Sequence, residues 1–202
     1  ASNNVDIGQE SDGSADFKER KMEVYFQTDY GKFTIGQGSG AADGTSEMDL
    51  SGTGVIMYSG VADTGSSIQF RDDDDTPIAT IGGTRSSFDG LSRNDRLRYD
   101  TPSFNGFTLS ASSTNGDAYE LAARYSRDYD GLGKVAAAVG YVDSADRSDP
   151  EYTQIVGSLS FLHTTGFNIT VAYGTRDIDD ADRDPMNYYG KIGYKFGIHA
   201  LA

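Results

Sequence analysis

Cysteine and tryptophan are absent from this 202-residue chain, histidine occurs only twice, and acids far outnumber bases. Without cysteine there is no disulfide, no thiol nucleophile and no thiolate metal site. With 17 Lys and Arg against 31 Asp and Glu the net charge is −14, which excludes a nucleic-acid partner, since that binding needs a basic surface. No run of about 18 apolar residues occurs, so a transmembrane helix is excluded. Hydrophobic residues make up 37%, few for an ordinary globular core. They suffice for a sheet in which only every second side chain faces lipid.

What the chain does have is a regular alternation of turn lengths. Short Gly-marked connections fall at 28–31, 101–106, 128–133, 163–166 and 195–197. Between them lie a very long connection, 39–91, and acidic loops at 142–151 and 176–185. Tight turns at one end and long loops at the other are the pattern of a transmembrane β-barrel. The intervening segments alternate with period two, which sends successive side chains to opposite faces of a sheet. Val135, Ala137, Val139 and Tyr141 oppose Lys134, Ala136, Ala138 and Gly140. Phe167, Ile169, Val171 and Tyr173 oppose Asn168, Thr170, Ala172 and Gly174, and Phe107, Leu109 and Ala111 oppose Thr108, Ser110 and Ser112. Tyr119, Leu121, Ala123 and Tyr125 oppose Glu120, Ala122, Arg124 and Ser126.

Glycine opens the second arm of each short hairpin, at Gly31, Gly106, Gly133, Gly166 and Gly197, as the positive φ of a tight turn requires. The spacing predicts about nine complete strands of roughly 8–11 residues, the span of a tilted membrane strand, and a tenth begun at Ile198. Tyrosines near strand ends (Tyr25, Tyr119, Tyr125, Tyr141, Tyr152, Tyr173, Tyr188, Tyr194) read as interfacial girdles. The chain opens on a polar, loop-like segment, 1–17, and stops inside a strand. The expectation is therefore an internal portion of a larger barrel: one partial β-barrel domain over 1–202, all-β and antiparallel.

Catalytic patterns are missing. His163 falls at a turn and His199 at a strand start, neither beside carboxylates spaced for a triad or a metal. The serines lack a nucleophile elbow. Gly36, Gly38 and Gly40 precede no helix signal, so they do not form a dinucleotide fingerprint. The acidic loop from Asp177 to Asp184 lacks the central glycine and terminal glutamate of a calcium loop. No enzyme activity, metal or cofactor is expected.

Several stretches resemble the Gram-negative general porins. Residues 96–112 (RLRYDTPSFNGFTLSAS) are similar to the strand–turn–strand that follows the constriction loop in that family. Residues 30–37 (YGKFTIGQ), 119–125 (YELAARY), 133–141 (GKVAAAVGY) and 194–201 (YKFGIHAL) resemble further strands. The resemblance implies an outer-membrane barrel of about sixteen strands, a homotrimer that passes small hydrophilic solutes and ions by passive diffusion. It implies that 39–92 is a constriction loop folded inward, carrying Asp43, Glu47, Asp49, Asp63, Asp72, Asp73, Asp74 and Asp75. It implies a facing basic wall of Arg93, Arg96, Arg98 and Arg124, with Asp100 beside Arg96 and Arg98 on the lumen side. Where the family often carries a wall arginine after Gly36, this chain has Gln37, which implies a weaker transverse field. Lipid and lipopolysaccharide are the implied surroundings. On the residues alone, two other readings stay open: a small closed outer-membrane barrel acting as adhesin or structural protein, and a soluble secreted β-sheet protein.

Overall fold

The computed structural model describes residues 21–115 and 117–202; the polar opening segment 1–17 lies outside them. The first strands are β1 (Met22–Thr28) and β2 (Gly31–Ser39). The long connection after β2 contains a helical turn α1 (Ala62–Gly65), a small hairpin of β3 (Gln69–Arg71) and β4 (Pro77–Thr80), and a second helical turn α2 (Ile81–Thr84). Then follow β5 (Arg93–Asp100), β6 (Phe107–Thr114), β7 (Tyr119–Tyr129), β8 (Gly133–Asp143), β9 (Tyr152–His163), β10 (Phe167–Ile178), β11 (Met186–Phe196) and β12 (His199–Leu201).

Ten of these strands form one antiparallel sheet in the order β1-β2-β5-β6-β7-β8-β9-β10-β11-β12, and β3–β4 stand apart as a two-stranded sheet. Each strand therefore pairs with its neighbour along the chain, the up-and-down order of a membrane barrel. Among the described residues the sheet is open, β1 and β12 being its two edges. Strands β7 to β11 run 11–12 residues, enough to cross the hydrocarbon layer at a tilt.

The five glycines that open the second hairpin arms all have positive φ. The reason is close backbone approach as well as turn geometry. At Gly31 (φ +133°) a Cβ would lie 2.5 Å from the Asp100 carbonyl, and at Gly106 (φ +89°) one would lie 2.6 Å from the Ser126 carbonyl. At Gly31, Gly106, Gly133 and Gly166 the missing Cβ lets the next strand pair right up to the turn, whereas a Cβ on Gly197 would meet nothing within 4 Å. The five Gly-marked turns fall at one end of the sheet. The other end carries the long connections and one brief turn between β6 and β7.

The polarity of the sheet is inverted relative to a water-soluble protein. Leu121, Val139 and Ile192 are 48%, 49% and 64% exposed, while Glu120, Gln154 and Asn168 on the opposite face are 1%, 1% and 0% exposed. The exposed apolar face extends from Val24 through Ile35, Leu97, Leu109, Ile155 and Val171 to Tyr194. Soluble monomers rarely expose contiguous apolar patches above a few hundred Å². A soluble sandwich would bury this face in its core, whereas here it is the polar face that is covered. The soluble reading fails on that point.

Aromatic rings edge the outer face at two levels. Near the short turns Phe33 packs on Tyr99 at 4.6 Å and Phe107 on Tyr125 at 4.5 Å between centroids. Near the long loops Tyr119 meets Tyr141 at 6.0 Å. Two tyrosines of the expected girdle belong elsewhere. Tyr25 pairs with Thr34, and Tyr152 shares a face with Gln154, so period two places both on the polar side.

One consequence is measurable. Val139→Lys, an outward charge midway along β8, should cost about 2–4 kcal/mol of folding stability in phospholipid vesicles. Ser126→Lys, on the inward face, should cost well under half of that. Equal costs in a denaturant titration would contradict the assignment of faces.

Candidate functional site

The long connection leaves β2 and crosses the polar face of the sheet from β5 to β11, and its path is written in hydrogen bonds. Ala41 N donates to Ser112 Oγ at 2.8 Å and Ala42 N to Glu120 Oε2 at 3.3 Å. Met48 N and Leu50 N each donate at 2.9 Å, to Ser158 Oγ and Ser160 Oγ. Ser158 returns a bond to the Thr45 carbonyl at 2.7 Å. At the far side Lys191 Nζ reaches Asp49 at 2.5 Å and the Met57 carbonyl at 2.8 Å. The returning chain is held by Gln154, which donates to the Phe88 carbonyl at 2.6 Å, and by Glu120, which accepts from Leu91 N at 2.5 Å. Residues in irregular loops carry backbone groups with no strand partner, and burying them unpaired would cost about 1–3 kcal/mol each. The wall side chains supply the partners.

Room for this comes from small residues on both sides of the contact. A Cβ on Gly140 would lie 2.6 Å from Thr45 Oγ1, and one on Gly174 would lie 2.6 Å from the Phe88 ring. Ala41 and Ala42 have no exposed surface. The alanine and glycine of the inward strand faces thus form the seat of the loop.

The wall arginines divide. Arg96 is 7% exposed, pairs with Glu23, and donates to the carbonyls of Gly36 and Ser39 at 2.6 and 2.8 Å. Arg98 binds Asp100 at 2.8 Å and donates to the Gly40 carbonyl at 2.6 Å. Arg124 donates to the carbonyls of Ala41 and Asp43 at 2.8 and 2.6 Å. All three share the polar face with Lys32 and Asp100, and Lys32, Arg98, Asp100 and Arg124 line a cavity of about 520 Å³ together with Met48 of the loop. Arg93 is not with them. It stands three residues before Arg96, so alternation turns it to the opposite face, beside Asp95 and Leu97. Gln37 is likewise displaced. It pairs with Asp95 on that outer face, and Glu23 and Gly36 are the residues that meet Arg96.

The loop acids also divide. Asp49 belongs to the Lys191 pair: burial opposes its ionisation, but the bonds from Lys191 and Ser51 outweigh that and hold the carboxyl below its usual range. Asp43, Glu47 and Asp63 gather with Asp89, a residue absent from the expected set. Burial, and then the charges of Asp89, Asp43 and Asp63, push Glu47 up to about 7. Burial and Asp43 push Asp89 up to about 6, against a 2.5 Å bond from Gly44 N. Asp63 accepts a hydrogen bond from the Tyr58 hydroxyl; burial, and then that bond, raise the hydroxyl's pKa. The run Asp72 to Asp75 lies apart from all of these, at the tip of the β3–β4 hairpin. There Asp72 Oδ1 accepts from the amides of Asp74 and Thr76 at 3.0 and 2.8 Å and Asp75 pairs with Arg71 at 3.5 Å, so the run shapes a turn. Among the described residues no group of His, Asp or Glu is arranged to hold a metal ion.

Glu120, Lys191 and Glu23 are further residues that spacing did not single out. Their signal was in the sequence: each is a charged side chain at an inward position inside a strand, where a charge is costly unless it has a partner.

An up-and-down antiparallel sheet, apolar outside and polar inside, with a long connection fastened across its inner face, defines the wall of an outer-membrane β-barrel. Residues 1–202 match the family of Gram-negative porins, and the chain belongs to it. Membership implies an outer-membrane location and passage of solutes across it. No curated protein matches the chain.

Two outcomes follow from the tethers. Glu120→Ala removes the acceptor for amides at both ends of the loop. Hydrogen exchange at 41–50 and 88–92 should accelerate about tenfold or more while the β8–β9 pairing keeps its protection. Unchanged exchange would remove Glu120 from that role. The second outcome concerns pH. Glu47 and Asp89 hold protons more tightly in the docked loop than at their ordinary values of 4.5 and 3.8. Their contribution to docking is fully present below those ordinary values and is lost as pH rises through about 6 and about 7. Protection of the Met48 and Leu50 amides, corrected for intrinsic exchange, should fall across that window, and Glu47→Gln should flatten the profile.

Proposed function

We propose that this chain forms the wall and constriction of a water-filled channel through which small hydrophilic solutes and ions diffuse passively. The observation that carries the reading is the loop fastened across the polar face by wall side chains. A connection held there narrows an aqueous lumen, because it occupies the side of the sheet that lipid does not. Residues 39–92 are the constriction loop in this reading. Asp43, Glu47, Asp63 and Asp89 give its acidic side, and Lys32, Arg98 and Arg124 give the basic wall. Opposed charges across a narrow aqueous gap order water and align dipolar solutes, which disfavours apolar molecules.

The wall is less positive than its arginines alone suggest. Arg96 is neutralised by Glu23 and Arg98 by Asp100, which leaves Lys32 and Arg124 as the cations of this group without an ion pair among the described residues. The acidic group on the loop then dominates, and the channel favours cations. Assembly as a homotrimer among lipid and lipopolysaccharide completes the proposal. It draws on family membership, and a native-mass measurement of the detergent-extracted protein tests it.

The functional test is conduction by the complete protein in a planar lipid bilayer. Ohmic channels with a reversal potential favouring K⁺ over Cl⁻ are expected at pH 8. Lowering the pH to 5 protonates Glu47 and Asp89 and should reduce that preference, and Glu47→Gln should remove part of the change. Absence of channels would overturn the proposal, and anion preference at pH 8 would overturn its charge assignment.

A further inference from the structure

A second cavity lies on the long-loop side, between the α2 segment and the start of β11. Its volume is about 790 Å³, and its lining includes Phe70, Arg85, Phe88, Arg176, Asn187 and Tyr188. Two guanidinium groups line it and no carboxylate does. In a chain of net charge −14 that is an unusual place to find uncompensated positive charge.

Arg176 is built into position. Its Nε and Nη2 both donate to Gln154 Oε1, at 3.1 and 2.8 Å. Its guanidinium lies 3.9 Å from the Tyr152 ring centroid and 5.3 Å from that of Phe88. Gln154 is itself fixed by its bond to the Phe88 carbonyl. The acceptor is a neutral amide, so the charge of Arg176 is oriented without being neutralised. Among the described residues neither Arg176 nor Arg85 forms an ion pair. Arg85 leaves α2 as its C-terminal cap and is exposed to the same space.

A guanidinium fixed beside aromatic rings, with its Nε edge held by Gln154, keeps its Nη1/Nη2 edge for a carboxylate, which that edge can bind through two parallel hydrogen bonds. Phe70, 46% exposed, offers apolar surface in the same cavity, and the volume falls in the range of small-molecule pockets, roughly 300–1,000 Å³. We propose that this cavity is a binding subsite for small organic anions that carry a carboxylate on a flat apolar body. It rests on the channel reading only for the route by which such a solute arrives. The subsite retains an anionic aromatic solute at the mouth of a lumen that otherwise favours cations.

Equilibrium binding separates this inference from conduction. Isothermal titration calorimetry of the complete protein in detergent should show saturable binding of benzoate. Cyclohexanecarboxylate should bind more weakly and benzamidine, a cation of similar shape, should not bind. Arg85→Gln, which removes an exposed side chain, should weaken benzoate about tenfold, and Arg176→Gln at least as much. If Arg176→Gln disturbs the loop, seen as altered single-channel conductance, the Arg85→Gln result decides alone. Equal binding of benzoate and benzamidine, no saturable binding, or an affinity indifferent to Arg85→Gln would each overturn the subsite. A protein that binds benzoate but forms no channels would retain the subsite and lose the channel reading.

Discussion

The structure depends on how one long, irregular connection satisfies its backbone while lying against a sheet. Strands solve that problem by pairing with each other; residues 40–60 pair with no strand in the sheet. Glu120 accepts amide protons from Ala42 and Leu91, the entry and the exit of the connection, and so closes it at its neck. Arg98 and Arg124 take the carbonyls of Gly40, Ala41 and Asp43, and the serines of β6 and β9 take the amides between. Polar side chains on an inward face would otherwise be left to water. Here they serve as hydrogen-bond partners for a second layer of chain, and the inverted polarity of the sheet is what makes that layer possible.

This use of charge changes what the arginines mean. A guanidinium that faces a lumen and one that clamps carbonyls contribute differently, since the second is shielded by the dipoles it binds. Arg96, buried against Glu23 and two carbonyls, is a structural tie between β1, β2 and β5. Arg124 does both jobs, because it borders the open cavity and holds the loop at once. The acidic side follows the same logic in reverse. Asp49 is paired and structural, whereas Glu47 and Asp89 are raised first by burial and then by neighbouring carboxylates, and are therefore the groups whose charge responds to pH near neutrality.

Much of the fold was legible in the sequence because strand faces depend on a strict local period. The inward and outward sets of β6, β7, β8 and β10 are those that alternation predicts, and the glycines that open hairpin arms carry the positive φ that turns demand. Parity also explains what went astray. Arg93 and Arg96 differ by an odd number, so both cannot face inward, and Gln37 falls on the outer face for the same reason. Tyr25 and Tyr152 looked like girdle residues from their distance to strand ends, but parity assigns them inward. The contents of the long loop obey no period. The β3–β4 hairpin, the separation of Asp72 to Asp75 from the other acids and the arrival of Asp89 beside Glu47 come from tertiary contacts that spacing does not encode.

Side-chain size on the wall couples the two layers. Gly140 and Gly174 admit Thr45 and Phe88 to distances that any Cβ would forbid, while Ala122, Ala138 and Ala172 line the same face and are buried. A larger wall residue would lift the connection away from the sheet, stretch the serine and arginine bonds, and move the acidic group into whatever space the barrel encloses. The smallness of these residues, easily read as a weak core, therefore sets how deeply the loop is seated. The free width beyond the loop is what remains after that seating. In the proposed channel, the aperture would be fixed as much by the methyl groups the wall lacks as by the charges it carries.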